Sequence, residues 1–138
     1  MINRETLQKR IEKAQEYIDF LEEIKAKYNL EEFQSNKMIF GSTERFLHLT
    51  IESLIDIGNH IISADNLGIV NAYRDIPIIL YENNYINKEQ KNIFIQIIGT
   101  RNILVHDYLD IEKETIYRIL KENISDLKDI LKKYLEFL

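Results

Sequence analysis

Apolar residues recur at intervals of three and four along most of this 138-residue chain, and this period constrains the fold more than any other feature. Only four glycines and one proline interrupt the pattern. No run alternates apolar and polar residues as a half-buried strand does. We therefore predict an all-α fold, an up-and-down bundle of four main helices plus a short one, in a single domain over residues 1–138.

The four predicted main helices have approximate bounds at residues 4–28, 37–63, 87–105 and 111–137. The short helix is predicted near residues 75–82, because a proline at position 77 is tolerated in a first turn and costly later. The predicted N-caps are Asn3, Asn87, which has Gln90 in capping-box spacing, and Asp110. Residues 29–36, 64–68 and 83–84 are predicted as a break, a loop and a turn.

Composition excludes several classes of protein. The absence of cysteine removes disulfides and thiolate metal sites, and it fits a reducing cytoplasm. The N-terminus lacks the apolar stretch of a signal peptide, and no apolar run approaches the ~20 residues of a membrane span. A net charge of −5 argues against a general nucleic-acid binder. If RNA is the substrate, contacts should be confined to a few residues.

A stripe of polar residues follows one face of the second main helix, at spacings of three and four: Arg45, His48, Glu52, Asp56, Asn59 and Ser63. One interpretation is a solvated face, which is the commoner origin of such a stripe. The other is that Glu52 and its neighbours face a cleft shared with another element.

The segment at residues 101–108 carries the most specific chemistry. Arg101 supplies a planar fork that matches a phosphate, and His106 supplies a group that exchanges protons near neutral pH. Phosphodiester chemistry needs both. Asn102 and His106 are four residues apart and share a helix face, so Asn102 could orient the imidazole. Arg101 and Tyr108 are nearly aligned if the helix persists that far.

Arg101 and His106 differ by roughly 140° around a helix axis, so one helix does not easily aim both at the same atom. Two copies of this helix facing each other across a two-fold axis could, and we therefore expect a homodimer with a shared site. A purely structural alternative is that both side chains are cations capping the end of a helix. No metal or cofactor is expected, since His48, His60 and His106 lack ligand spacing.

At this segment the chain resembles the HepT-like branch of the HEPN domain proteins, small all-helical toxins of prokaryotic toxin–antitoxin pairs. The family signature is an arginine, four residues, a histidine, one residue and a tyrosine, often with asparagine after the arginine. Here Arg101, Asn102, His106 and Tyr108 match it completely. The run at 50–62, with Glu52, looks like the family's second helix with its inward glutamate, and the segment at 80–86 also fits.

The resemblance implies a metal-independent ribonuclease that acts as a homodimer on RNA. His106 would take the proton from a ribose 2′-hydroxyl or protonate the leaving 5′-oxygen. Arg101 would stabilise the charge of the phosphorane-like transition state. Asn102 would orient His106 or contact phosphate, and Glu52 would hold Arg101 in place. The products would carry a 2′,3′-cyclic phosphate.

The resemblance also implies a partner, a minimal nucleotidyltransferase antitoxin that can add AMP to Tyr108 and so block the site. Two alternatives remain open. The chain could be a non-catalytic accessory subunit of a nucleotidyltransferase that helps bind a nucleotide or substrate. It could also be a dimeric helical interaction protein in which residues 101–108 only cap a helix.

Overall fold

The computed structural model describes residues 3–106 and 113–137; at residues 102, 103, 105 and 106 it describes the backbone only. Six helices lie in this part of the chain: α1 (Arg4–Lys27), α2 (Leu30–Ser35), α3 (Lys37–Ala64), α4 (Asp75–Glu82), α5 (Lys88–His106) and α6 (Lys113–Leu135). The all-α prediction is confirmed. The four main helices correspond to α1, α3, α5 and α6, and the predicted short helix is α4.

Side-chain caps begin two of the main helices as predicted. The Thr6 amide donates to Oδ1 of Asn3 over 3.2 Å at the start of α1. At α5, the Gln90 amide donates to Oδ1 of Asn87 over 2.8 Å, and the Asn87 amide donates to Oε1 of Gln90 over 2.9 Å. This reciprocal pair is a capping box. The predicted cap Asp110 lies outside the described residues.

The predicted break at residues 29–36 is wrong, because most of it forms the short helix α2. The Glu32 amide donates to Oδ1 of Asn29 over 2.8 Å, and the Asn29 amide donates to Oε1 of Glu32 over 3.2 Å. Phe33 is fully buried and contacts the rings of Phe40 and Tyr117. Six residues are too few to show helical periodicity, so one capping box and one apolar anchor define this helix.

Helix α3 is the centre of the bundle and contacts each of the other five helices. The face that it turns to the core is buried, including Leu47, Leu54 and Ile61, whereas Met38 near its start is 81% exposed. Helix α5 packs on the core through Phe94, Ile97 and Ile98. This packing brings the polar end of α5 beside the polar stripe of α3. No helix in the described part of the chain is long and apolar enough to cross a membrane.

Candidate active site

The guanidinium of Arg101 is held between α5, α3 and the loop that precedes α4. Its Nε donates a hydrogen bond to Oε1 of Glu52, with which it forms an ion pair. Its Cζ lies 4.7 Å from the centroid of the Tyr73 ring, within range of a cation–π interaction. The Arg101 side chain is only 15% exposed. The fold therefore fixes a cation in a defined position near the surface.

Glu52 also meets His48, one turn earlier on α3. Nε2 of His48 lies 3.3 Å from Oε1 of Glu52, the same oxygen that accepts from Arg101. The side chains of His48 and Glu52 are 28% and 35% exposed. One partly buried carboxylate thus connects a histidine on its own helix to the arginine of α5.

Some residues of the polar stripe on α3 fit the cleft interpretation, and the others fit the solvated face. Glu52 and His48 are half-buried, and Glu52 faces the arginine of another helix, as the cleft interpretation requires. The remaining members are exposed, as expected of a solvated face: Arg45, Asp56, Asn59 and Ser63. Asp56 is nevertheless paired, because it accepts from Arg10 of α1.

An open cavity of about 680 Å³ lies beside Tyr73, the residue whose ring contacts Arg101. Its lining comes from α3, from residues 70–74 and from α5: Asn59, Val70, Asn71, Ala72, Tyr73, Arg74 and Ile98. A smaller depression of about 200 Å³ shares Asn59, Val70 and Tyr73 with it and includes Glu52. Together they form a groove that leads from Glu52 to Arg74. Arg101 borders this groove through its contacts with Glu52 and Tyr73.

Hydrogen bonds to Asp75, the first residue of α4, fix the loop that carries Tyr73. Oδ2 of Asp75 accepts from the amides of Asn71 and Ala72, each over 3.0 Å. The Asp75 amide donates back to the Ala72 carbonyl over 3.0 Å, and the Ile76 amide donates to the Tyr73 carbonyl over 3.1 Å. Tyr73 therefore lies on a turn whose backbone is held by hydrogen bonds. Sequence reasoning missed it, since the only signal was an aromatic residue in a segment without periodicity.

The structure brings together two of the five predicted site residues, Arg101 and Glu52. Asn102 and His106 belong to the last turns of α5, and their side chains lie outside the described part. Helix α5 continues through His106, so the angular spacing of a helix applies across positions 101–106. Tyr108 lies outside the described residues.

The arrangement joins a fixed guanidinium, an aromatic ring and side-chain amides around one groove. Guanidinium matches phosphate, and an aromatic ring matches a flat base. Among the described residues, no three or more histidine and acidic side chains are grouped to hold a metal ion. The groove suits a ligand that carries both a phosphate and a ring.

Comparison with known proteins gives a consistent result. Residues 14–134 match the family model described as Ribonuclease HepT-like. The mRNA nuclease HepT of Shewanella oneidensis strain MR-1 is 31% identical over 80 residues, which are 58% of this chain and 60% of that protein. YutE of Bacillus subtilis strain 168 is 28% identical over 95 residues, 69% of this chain and 66% of that protein. The matched stretches thus span less than two thirds of these relatives.

Solved structures show the same fold over nearly the whole chain. A tri-AMPylated HEPN toxin of Shewanella oneidensis, in complex with an MNT antitoxin, superimposes with a TM-score of 0.86 at 23% identity and covers 99% of both chains. YutE of Bacillus subtilis, described as a cytosolic protein, superimposes with a TM-score of 0.86 at 21% identity and covers 99% of this chain and 91% of that one. The bundle is therefore HEPN-like.

Proposed function

The chain belongs to the HepT-like ribonuclease family, and on that premise we propose that it is a metal-independent endoribonuclease, the toxin of a toxin–antitoxin pair. One observation carries the proposal. Arg101, the first residue of the family signature, is fixed by Glu52 of a different helix at the edge of a groove. A cation that is already in position stabilises developing charge without a cost of reorganisation during the reaction.

The proposed reaction is an internal transphosphorylation. His106 of one copy takes the proton of a ribose 2′-hydroxyl, and the 2′-oxygen attacks the adjacent phosphorus. The bond from phosphorus to the 5′-oxygen breaks, and His106 of a second copy gives that oxygen a proton. The products are a 2′,3′-cyclic phosphate and a 5′-hydroxyl. We propose a homodimer because acid and base are both needed, and each chain carries one such histidine in the signature.

The other site residues have supporting roles in this proposal. Arg101 neutralises the charge that grows on the non-bridging oxygens of the transition state. Glu52 restricts the guanidinium to one position, as its ion pair with Arg101 suggests. Asn102 stands four residues before His106 on α5, where it would orient the imidazole or contact phosphate.

We also propose that the chain works in the cytoplasm with a minimal nucleotidyltransferase as antitoxin. The HEPN toxin of similar fold is tri-AMPylated and in complex with an MNT antitoxin, and this supports the partner. Tyr108 is the candidate acceptor of AMP, two residues after His106. An added phosphate there would repel RNA and occupy the place of the substrate phosphate.

The test is cleavage of mixed single-stranded RNA in the presence of EDTA, comparing wild type with His106→Ala. His60→Ala is the matched control, since His60 is also a helical histidine and lies outside the described groove. We expect cleavage by wild type and by the control, and a loss of at least about 100-fold in His106→Ala. A folded, unmodified protein that cleaves no RNA would instead favour the accessory binding subunit.

A further inference from the structure

We propose that the cavity beside Tyr73 is a nucleobase subsite, in which Tyr73 stacks on an unpaired base of the RNA next to the scissile phosphate. This inference rests on the proposed ribonuclease function and adds the residues that hold the substrate. Its ligand is one base of a single strand, and its place is set by the contact between Tyr73 and Arg101.

The cavity has the size and lining for this ligand. About 680 Å³ falls within the range of small-molecule sites, and it exceeds what a single base requires. Val70, Ala72 and Ile98 give an apolar surface, and Tyr73 gives an aromatic one. Single-stranded RNA is bound in this manner, with splayed bases stacked on aromatic side chains.

Tyr73 lines the cavity and also contacts Arg101, the residue proposed to bind phosphate. Arg101 lies 4.7 Å from its ring centroid, yet 44% of Tyr73 remains exposed. The tyrosine thus has surface left for a base while it touches the guanidinium. A nucleotide whose phosphate contacts Arg101 has its base within reach of this ring, because base and phosphate are joined through one ribose.

Polar groups around the cavity can read the base and its backbone. Asn59 and Asn71 each carry an amide with two donors and one acceptor oxygen, suited to the polar edge of a base. Arg74 adds an exposed cation next to Tyr73. The hydrogen bonds of the loop to Asp75 hold the backbone of Asn71 and Ala72 in place before RNA binds, which reduces the entropy cost of binding.

A stacking subsite also accounts for how an acidic protein retains a nucleic-acid substrate. Affinity from phosphate contacts requires many basic side chains, and this chain has a net charge of −5. Stacking on an aromatic ring contributes about 5- to 150-fold per base and needs no additional positive charge. One well-placed tyrosine can therefore add affinity that does not depend on the net charge of the chain.

The experiment pairs a protein variant with a matching change in the RNA. Short RNAs with one mapped cleavage junction receive a 2′-deoxy substitution there, which prevents cleavage, and an abasic residue is placed at each flanking position in turn. Dissociation constants are measured by fluorescence anisotropy for wild type and Tyr73→Leu. Cleavage of the unmodified RNA is measured in parallel.

We expect Tyr73→Leu to weaken binding of the intact RNA by about 5- to 150-fold. One abasic position should weaken wild-type binding by a similar factor. For that abasic RNA, the affinity of Tyr73→Leu should be less than about twofold below that of wild type, since the stacked base is already gone. If Tyr73→Leu instead weakens binding by its full factor for every abasic RNA, the subsite is overturned, because Tyr73 would then act through Arg101 alone.

Two further variants complete the design. Asn59→Ala should change the ratio of affinities among the four bases at the same position by about fivefold or more, whereas an unchanged ratio counts against readout by Asn59. Ile69→Ala is the matched control, since Ile69 is 80% exposed in the same loop and does not line the cavity. Its binding should equal that of wild type. If wild type cleaves RNA and Tyr73→Leu binds and cleaves RNA as well as wild type does, only the subsite is overturned. If wild type neither binds nor cleaves RNA, the proposed ribonuclease function is overturned as well.

Discussion

Glu52 on α3 accepts a hydrogen bond from Nε of Arg101 on α5, across 49 positions of sequence. The Arg101 side chain is 15% exposed and that of Glu52 35%, so the pair is partly screened from water. Removal of one member of a partly buried pair destabilises the fold by more than the pair itself contributes, because the remaining charge stays desolvated without a partner. The contact therefore orients the guanidinium and also fastens α5 to the central helix.

Replacing Glu52 by alanine should affect both stability and activity. We expect a loss of about 1–2 kcal/mol of unfolding free energy, and a fall in kcat of at least about tenfold with a smaller change in KM. The kcat falls because a mobile guanidinium stabilises the transition state less well. Urea denaturation and RNA cleavage measure the two effects.

Glu22→Ala is the matched control for Glu52→Ala. It removes another carboxylate that pairs with a cation of a different helix, Lys128 of α6, and that lies outside the groove. Such a surface pair contributes about 0.2–1 kcal/mol, and kcat should not change. Equal losses of kcat in the two variants would contradict an orienting role for Glu52.

Two glycines of α3 should respond to alanine in opposite directions. A Cβ on Gly58 would lie 2.7 Å from Cγ2 of Ile76 and 2.7 Å from the hydroxyl of Tyr134, whereas one on Gly41 meets nothing within 4 Å. The Tyr134 hydroxyl donates to the Leu54 carbonyl over 2.9 Å, so it cannot move without losing that bond. We expect Gly58→Ala to destabilise by about 1–3 kcal/mol and Gly41→Ala to stabilise by about 0.5–1 kcal/mol. Thermal melting tests both, and stabilisation by Gly58→Ala would contradict the packing.

The carboxyl of Asp126 on α6 should oppose folding at neutral pH. Burial, and then the negative charges of Asp129 and Glu89, raise the pKa of Asp126 above its ordinary value of 3.8. The folded state thus favours the protonated form, and the penalty is present above the folded pKa and vanishes below 3.8. Asp126→Asn should raise the melting temperature at pH 7, and its advantage should shrink as pH falls toward 3. An advantage independent of pH would contradict this reasoning.

Modification at Tyr108 tests the proposed partner. Incubation with the cognate nucleotidyltransferase and ATP should add one or more AMP groups to wild type, as intact-protein mass spectrometry would show. Tyr108→Phe should gain none, because it lacks the phenolic oxygen that attacks the α-phosphate of ATP and displaces pyrophosphate. The modified protein should lose RNA cleavage. A gain of AMP by Tyr108→Phe would place the modification elsewhere.

Helical periodicity predicted most of the fold because long amphipathic helices repeat one physical requirement many times. The buried residues of α1 follow the predicted intervals of three and four: Leu7, Ile11, Ala14, Ile18, Leu21 and Ile24. Caps were predictable for the same reason, since an asparagine before an apolar run satisfies free backbone amides. Helix α2 was not, because it depends on the burial of Phe33, a tertiary contact that no local repeat announces.

The candidate site was predictable only in part. Arg101 was predicted from its side-chain chemistry and from the family signature, and Glu52 from the polar stripe and from the family's second helix. Packing of α5 on α3 brings the two into contact. Tyr73 reaches Arg101 from an irregular loop whose shape is set by backbone hydrogen bonds to Asp75. Helical spacing carries no information about such a loop, so its contribution required the structure.

The most direct test of the proposed chemistry is the cleavage of one RNA prepared with and without a 2′-hydroxyl at the mapped junction, in EDTA, with analysis of the product ends. We predict that the all-ribose RNA yields a 2′,3′-cyclic phosphate and a 5′-hydroxyl, and that the 2′-deoxy RNA is not cut there. The attacking oxygen is absent from the second substrate, so no other residue can compensate. Cleavage of the 2′-deoxy RNA at that junction, or products that end only in 3′-hydroxyl groups, would contradict the mechanism.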